Sequence, residues 1–569
     1  MKYSKRYIVI SIILCMVFLF KFHILELDEA EVGVFRGGEL KEEVWYPLVA
    51  NDVNGKELTL VIDNKSYSSK KYDFYMDGNR NIMVPVSILR DSMDCSAHLY
   101  EGNKLLVEKH NLSAIMDLDK HEALSSGKNF MLSSPLTMID GVYYVSLTDL
   151  SEMLGYNCSF SYGDNVFTTA DAAENTKALP ASYDLREKYR ISAIRNQGKY
   201  GTCWAFGALT AMESALLPEA SYIFSVDHMS MCNSFNVNQY DGGEYTMGMA
   251  YLSAWQGPVY EKDDPYGDGV TDEELEAVKH VQEMRIIASK DIAAIKEAVF
   301  KYGGVQTSLY SSLRSTNSYS MYYNRETSSY CYIGTAKPNH EVVIIGWDDN
   351  YSKDNFSIPL EGDGAFICQN SWGESFGEDG VFYVSYHDTN IGTHNVVYTR
   401  IDNVDNYDNI YQSDLCGWVG KMGYDKESMY GANVFTAEKN EDVVAASFYA
   451  VGPDTEYKVY IVDNFVNENS FEKKKLVAEG VLKDAGYYTI DFEEGIPVRA
   501  GQKYAVVVYV KTPGSSHPMA IEYDSGNKFL ADILLDDGEG YISYTGNQFV
   551  NVKEKQNCNL CIKAFTNDR

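Results

Sequence analysis

Asn196-Gln197-Gly198-Lys199-Tyr200-Gly201-Thr202-Cys203-Trp204-Ala205-Phe206 opens a segment in which Phe206, Leu209, Met212 and Leu216 recur at helical spacing. The spacing predicts a helix that starts at Cys203, with Thr202 as its cap. Unsatisfied amides and the dipole at such an end stabilise a negative sulfur, as a nucleophilic thiol requires. Thiols placed this way fall to a pKa of roughly 3.5 to 7.5, against about 8.5 when free. Downstream, Asn339-His340-Glu341 leads into an apolar strand over 342–346 and sets an imidazole at the strand's start. Gln369-Asn370-Ser371-Trp372-Gly373 follows a second apolar strand over 365–368, where the Asn370 oxygen can hold that imidazole in one tautomer. The other histidines of this region, His228, His280, His387 and His394, do not combine a preceding Asn with a following apolar strand.

Together these three motifs resemble the papain-like cysteine peptidase family over residues 179–400. The resemblance implies that Cys203 is the nucleophile, His340 the general acid and base, and Asn370 the residue that orients His340. It implies that Gln197 donates to the oxyanion together with the Cys203 amide. Gly242 and Gly243 of Asp241-Gly242-Gly243 would let a substrate backbone approach, and Trp372 would cover the His340–Asn370 contact at the substrate cleft. His340 lies 137 residues after Cys203, within the family's usual 130 to 150. Asn370 lies 167 after it, which fits an insertion over 348–363. The family's cysteine three residues before the nucleophile is Tyr200 here, and its expected partner before the Gly-Gly turn is Tyr240, so that bridge is absent. The fold implied is multidomain α+β: a two-lobed peptidase, one lobe helical and one β-rich, between a small α+β repeat module and an antiparallel β-sandwich. No cofactor or metal is expected.

The flanks carry their own patterns. Between about 45 and 170 a strand, a short amphipathic helix and a hairpin recur, first over 83–107 through Cys95 and again over 144–167 through Cys158. This repeat resembles the copper amine oxidase N-terminal-like module of bacterial surface proteins, though its histidines His98, His110 and His121 suit no short metal motif. The polar stretch 169–179 is expected to be a linker, and the turn-rich acidic run 399–412 a second boundary. From 413 to 566, alternating segments at 443–449, 457–462, 487–492 and 504–510 between Gly, Asp, Asn and Pro turns predict an antiparallel β-sandwich. Its phrasing resembles the lectin-like domain that follows peptidase domains in Gram-positive surface proteins.

Length and composition bound the rest. At 569 residues the chain should hold about three or four domains, and 45% apolar with 23% charged residues is ordinary globular composition. Its 49 basic against 81 acidic residues give a net charge of -32, which argues against a nucleic-acid partner. Lys2, Lys5 and Arg6 precede a 14-residue apolar run over 7–20, which reads as an export signal within 1–30, cleaved or retained as a membrane anchor. Ten cysteines, nine beyond the signal, leave at least one thiol unpaired. The expectation is a secreted or cell-surface cysteine peptidase acting on peptides or proteins, with N-terminal membrane contact and cell-surface carbohydrate as further partners. The alternative is a non-catalytic adhesin that binds polysaccharide through the sandwich.

Overall fold

The computed structural model describes residues 59–569 apart from 63–64, 68–73, 78–80, 101–102, 111, 140, 162–165, 172–178, 219, 314–317, 531–532 and 554–555. The expected export signal lies outside the described residues. In the N-terminal module the repeat takes the expected form. Strands Ile82–Pro85 and Val142–Ser146 each lead into a short helix, Ser87–Ser92 and Leu147–Met153, and then into a hairpin. Ser146 caps the second helix by accepting from the Asp149 amide at 3.2 Å. The halves meet where Ile82–Pro85 pairs antiparallel with Val142–Ser146, over a core that includes Leu89, Leu105, Leu150 and Phe167. The expected linker starts later than its composition suggests, because Val166–Asp171 is a strand paired with Tyr156–Ser161. Lys188 binds Glu108 at 2.8 Å and Lys301 pairs with Asp94, so the module docks on the peptidase region.

In the peptidase region the helix Cys203–Leu216 is buried on nearly every side, as its almost continuous apolar and small sequence dictates. It lies against the strands Val305–Leu309, His340–Asp348 and Asn395–Asp402. Truncating a buried Phe206 or Leu209 there would cost about 2 to 5 kcal/mol, from lost transfer energy plus a cavity. The strands run in the spatial order Ser329–Tyr330, Val381–Ser385, Ala365–Gln369, His340–Asp348, Val305–Leu309, Asn395–Asp402, His280–Ile287. Both strands expected to carry His340 and Asn370 are therefore central neighbours.

The expected second boundary is an ordered joint. Asn395–Asp402 is a strand, Asn409–Tyr411 another, and the peptidase sheet does not stop between them. His280–Ile287 pairs with Ala485–Val498, which continues through Glu441–Ala450 and Ile562–Asp568 to Asn409–Tyr411, making one 13-stranded sheet. The facing sheet of the sandwich is Lys475–Leu482, Thr455–Val462, Lys503–Lys511, Ser428–Thr436, Gly540–Ser543 and Val550–Asn551. Turn chemistry marks where local sequence becomes polar; it does not report that a strand edge finds a partner 200 residues away.

Gly486 makes this joint. Its φ is +145°, and a Cβ there would lie 2.1 Å from the Met284 carbonyl oxygen of the peptidase strand. Gly486→Ala should therefore destabilise the chain by ~1 to 3 kcal/mol, read as a lower first transition in calorimetry. An unchanged thermogram would mean that the two regions are not joined through this pairing.

Candidate active site

Cys203 opens its helix as expected, but Thr202 does not cap it. Its hydroxyl bonds to the Tyr266 hydroxyl at 2.6 Å, and no side chain caps the helix. The free helix end serves the sulfur instead: the backbone amides of Cys203 and Trp204 favour its charged form, and so, more strongly, does the amide of Glu341. That third amide belongs to the residue after His340, so the start of the strand His340–Asp348 abuts the start of the helix.

His340 is buried, and its Nε2 lies 2.8 Å from Asn370 Oδ1. The Ser371 backbone amide donates to the same Oδ1 at 2.8 Å, so this atom is the carbonyl oxygen and only accepts. Nε2 must then carry the hydrogen of a neutral ring, and Nδ1 is the basic nitrogen. The Trp372 ring lies 4.9 Å from the imidazole at 35°, over the contact.

Gln197 is oriented from both ends. Its Nε2 donates to the Tyr200 carbonyl at 2.8 Å and its Oε1 accepts from Ser371 Oγ at 2.7 Å, which leaves a second Nε2 hydrogen for another acceptor. A short antiparallel clasp holds this segment to the one after Asn370: Gln197 N donates to Ser371 O at 2.8 Å, Gly373 N to Arg195 O at 3.0 Å, and Asn196 bridges Trp372. Arg195 is pinned in turn by buried Glu213, at 3.0 Å, and by the Phe224 carbonyl at 2.8 Å.

Cys203, His340, Gln197, Gly242, Gly243 and Trp372 all line one cleft of about 1060 Å³, with Asn370 buried behind His340. Every residue of its walls falls between 197 and 394, so among the described residues the N-terminal module contributes none. Gly243 has a second reason to be glycine, since a Cβ there would sit 2.5 Å from Trp204 Nε1. The two tyrosines that replace the family's cysteines touch each other, ring centroids 4.9 Å apart, and Gly201 N donates to Gln239 O at 2.7 Å. Contact and hydrogen bond thus tie the loops a bridge would tie, and no disulfide joins any of the nine described cysteines.

Burial pushes the Cys203 thiol up to about 12 and the His340 imidazole down to about 4, the latter partly offset by Asn370. Moving the proton from sulfur to Nδ1 creates both charges together, and their mutual attraction and the three amides at the sulfur favour that pair. Sequence reasoning missed the cleft residues Glu244, Ser308, Glu341 and His394. Glu341 was legible as the neighbour of His340 and Glu244 as the residue after Gly-Gly; Ser308 and His394 carry no local signal.

Burial also raises the Glu341 carboxyl, to about 7, above the roughly 4.3 of an unfolded chain. Between those values the folded protein holds a proton that the unfolded chain has released, so stability falls as pH rises through that window. Glu341→Gln cannot ionise and should gain on the parent between pH 5 and pH 8, by on the order of 2 kcal/mol. Denaturant midpoints at both pH values check this; a difference that does not change with pH contradicts it.

Comparison with known proteins agrees with this geometry. Residues 179–401 match the papain family cysteine protease model, 410–566 a lectin like domain, and 55–169 a copper amine oxidase N-terminal domain. Cathepsin K of Mus musculus is 24% identical over 291 residues, 50% of this chain and 78% of that protein. Pro-cathepsin H of Mus musculus is 28% identical over 225 residues, 38% of this chain and 63% of that protein. Among solved structures, the clostridial cysteine protease Cwp84 after propeptide cleavage superposes with a TM-score of 0.62 at 27% identity, covering 68% of this chain and 99% of that one. A structure of the cysteine protease and lectin-like domains of Cwp84, a surface layer associated protein of Clostridium difficile, gives 0.61 at 27% identity, covering 68% and 89%. The chain therefore carries a papain-family cysteine peptidase, joined to a lectin-like domain.

Proposed function

We propose that this chain is an exported cell-surface peptidase that hydrolyses peptide bonds through a thioester on Cys203. The observation that carries the reading is the His340 Nε2 to Asn370 Oδ1 bond, fixed by the Ser371 amide, because it leaves Nδ1 as the base, on the residue just before the one whose amide favours the charged Cys203 sulfur. Cys203 Sγ attacks the substrate carbonyl carbon while its proton passes to His340 Nδ1. The carbonyl oxygen becomes an anion that the Cys203 amide and Gln197 Nε2 stabilise. Collapse breaks the C–N bond, His340 protonates the leaving amine, and a thioester is left on sulfur. Water deprotonated by His340 then attacks the thioester, releases the acid and restores the thiol.

Export rests on the basic residues and apolar run over 2–20, and the surface location also on the likeness to a surface layer associated protein. Cell-surface carbohydrate is the proposed partner of the lectin-like domain. Tyr430 and Tyr509 pair across adjacent strands with rings 4.9 Å apart, and Tyr460 extends the row, giving half-buried aromatic faces of the kind that stack on sugar rings. Tyr430→Ala with Tyr509→Ala should weaken retention on purified cell-wall polysaccharide at least tenfold. Equal retention removes this face from the reading.

Cys203→Ala should abolish hydrolysis with the fold intact, and His340→Ala should be nearly as damaging. Asn370→Ala should keep measurable turnover, since orienting is worth less than proton transfer. Gln197→Ala should lower turnover about 100- to 1000-fold at little change in KM. Persistent cleavage by Cys203→Ala sinks the assignment. A loss of less than about threefold in Gln197→Ala, or near-normal turnover in Gln197→Glu, removes the oxyanion role.

A further inference from the structure

Three carboxylates line the cleft; Asp241 is paired by Lys528 at 2.7 Å, and the other two come from opposite lobes. Glu244 follows Gly243 on the helical side, and Glu341 follows His340 on the β side; both line the cavity that holds Cys203. Glu341 is 7% exposed and is held by Ser308 Oγ at 2.5 Å and Gln306 Nε2 at 3.4 Å. Glu244 is different. It has no hydrogen-bond or ion-pair partner among the described residues. It stands at the N-terminus of the helix Tyr245–Ser253, yet its side chain makes no capping bond, so helix capping does not account for it. Burial and then the charge of Glu341 push it up to about 8, and Lys337, exposed at the rim, offsets this only in part. Lys199, the other cation of the cleft, is engaged elsewhere, 5.3 Å and 5.7 Å from the Tyr200 and Tyr240 rings.

Apart from Asp241 and the two lysines, the rest of the wall is mostly polar or aromatic. Tyr245 is buried and stacks on His394 at 5.2 Å, and His394 Nδ1 lies 3.2 Å from Ser308 Oγ. The charge of Glu341 disfavours a charge on Glu244 in the same cleft, and a cation beside them offsets that cost. A peptide substrate brings side chains into this cleft, and a basic one would supply that cation.

We propose that Glu244 and Glu341 form a cation-selecting pocket, so that the peptidase prefers substrates with a lysine or arginine side chain beside the scissile bond on the Gly243 side. The proposal rests on the peptidase reading above and names its substrate class. A lysine ammonium entering there would meet Glu244 first, since that carboxylate is unpartnered, and would share Glu341 with Ser308.

The test uses the full chain and a positional-scanning peptide library, with norleucine as the uncharged match for lysine. Lysine should exceed norleucine at least tenfold in kcat/KM at one position next to the cleaved bond. Glu244→Gln should cut that ratio at least fivefold, and Glu244→Lys should turn the preference toward Asp or Glu. Separately, Cys203→Ala should bind an uncleaved lysine peptide at least tenfold more tightly than its norleucine match. Cleavage with a ratio below twofold overturns the pocket and leaves the peptidase standing. A ratio preserved in both Glu244 variants overturns the role of Glu244. Lysine-dependent binding without any cleavage supports the pocket and rejects the peptidase reading, and the absence of both rejects the two together.

Discussion

The site depends on the clasp between Arg195–Gln197 and Ser371–Gly373. Gln197 N to Ser371 O, Gly373 N to Arg195 O and Ser371 Oγ to Gln197 Oε1 join a segment just before the nucleophile's helix to one just after a central β-strand. One residue on each side of it does chemical duty in the proposed mechanism: Gln197 as donor and Asn370 as orienter. Because Ser371 also fixes the Asn370 amide through its own N–H, a single residue sets both roles. The Arg195–Glu213 pair anchors the clasp to the buried helix that Cys203 opens. Preorganisation of this kind is what lets donors act on a developing charge without reorganising at that moment.

Burial gives the site its electrostatics. The low dielectric that keeps Cys203 and His340 neutral singly strengthens their attraction once both are charged, and it makes every amide aimed at the sulfur count for more. The same burial sets the two cleft glutamates at odds with each other. A cleft that disfavours isolated charge of either sign rewards a substrate that brings the missing cation, so reactivity and selectivity have one physical origin.

Much of this was legible locally. Cys203 at a helix start, His340 at a strand start and Asn370 after the next strand follow from apolar periodicity and from motif residues a few positions apart. The paired tyrosines at 200 and 240 could be read as replacing a bridge, and the structure adds that they touch. Thr202 misled because a hydroxyl before a helix can bond elsewhere, and Tyr266 lies 64 residues away. The shared sheet was hidden for the same reason: the pairing of His280–Ile287 with Ala485–Val498 is a long-range edge contact that no local pattern encodes. Glu244 and Glu341 were visible as letters, but their confrontation exists only once the two lobes close on one cleft.

The central claim, that Cys203 is the activated thiol of this cleft, is tested most directly by a peptidyl epoxide, with the adduct located by mass spectrometry. The chain offers a fair competition, because the Cys158 side chain is exposed and Cys203 is only partly exposed. The account predicts one adduct per chain, on Cys203, formed in proportion to the loss of peptidase activity. An adduct on Cys158 or elsewhere, with Cys203 unmodified and proteolysis gone, would contradict it.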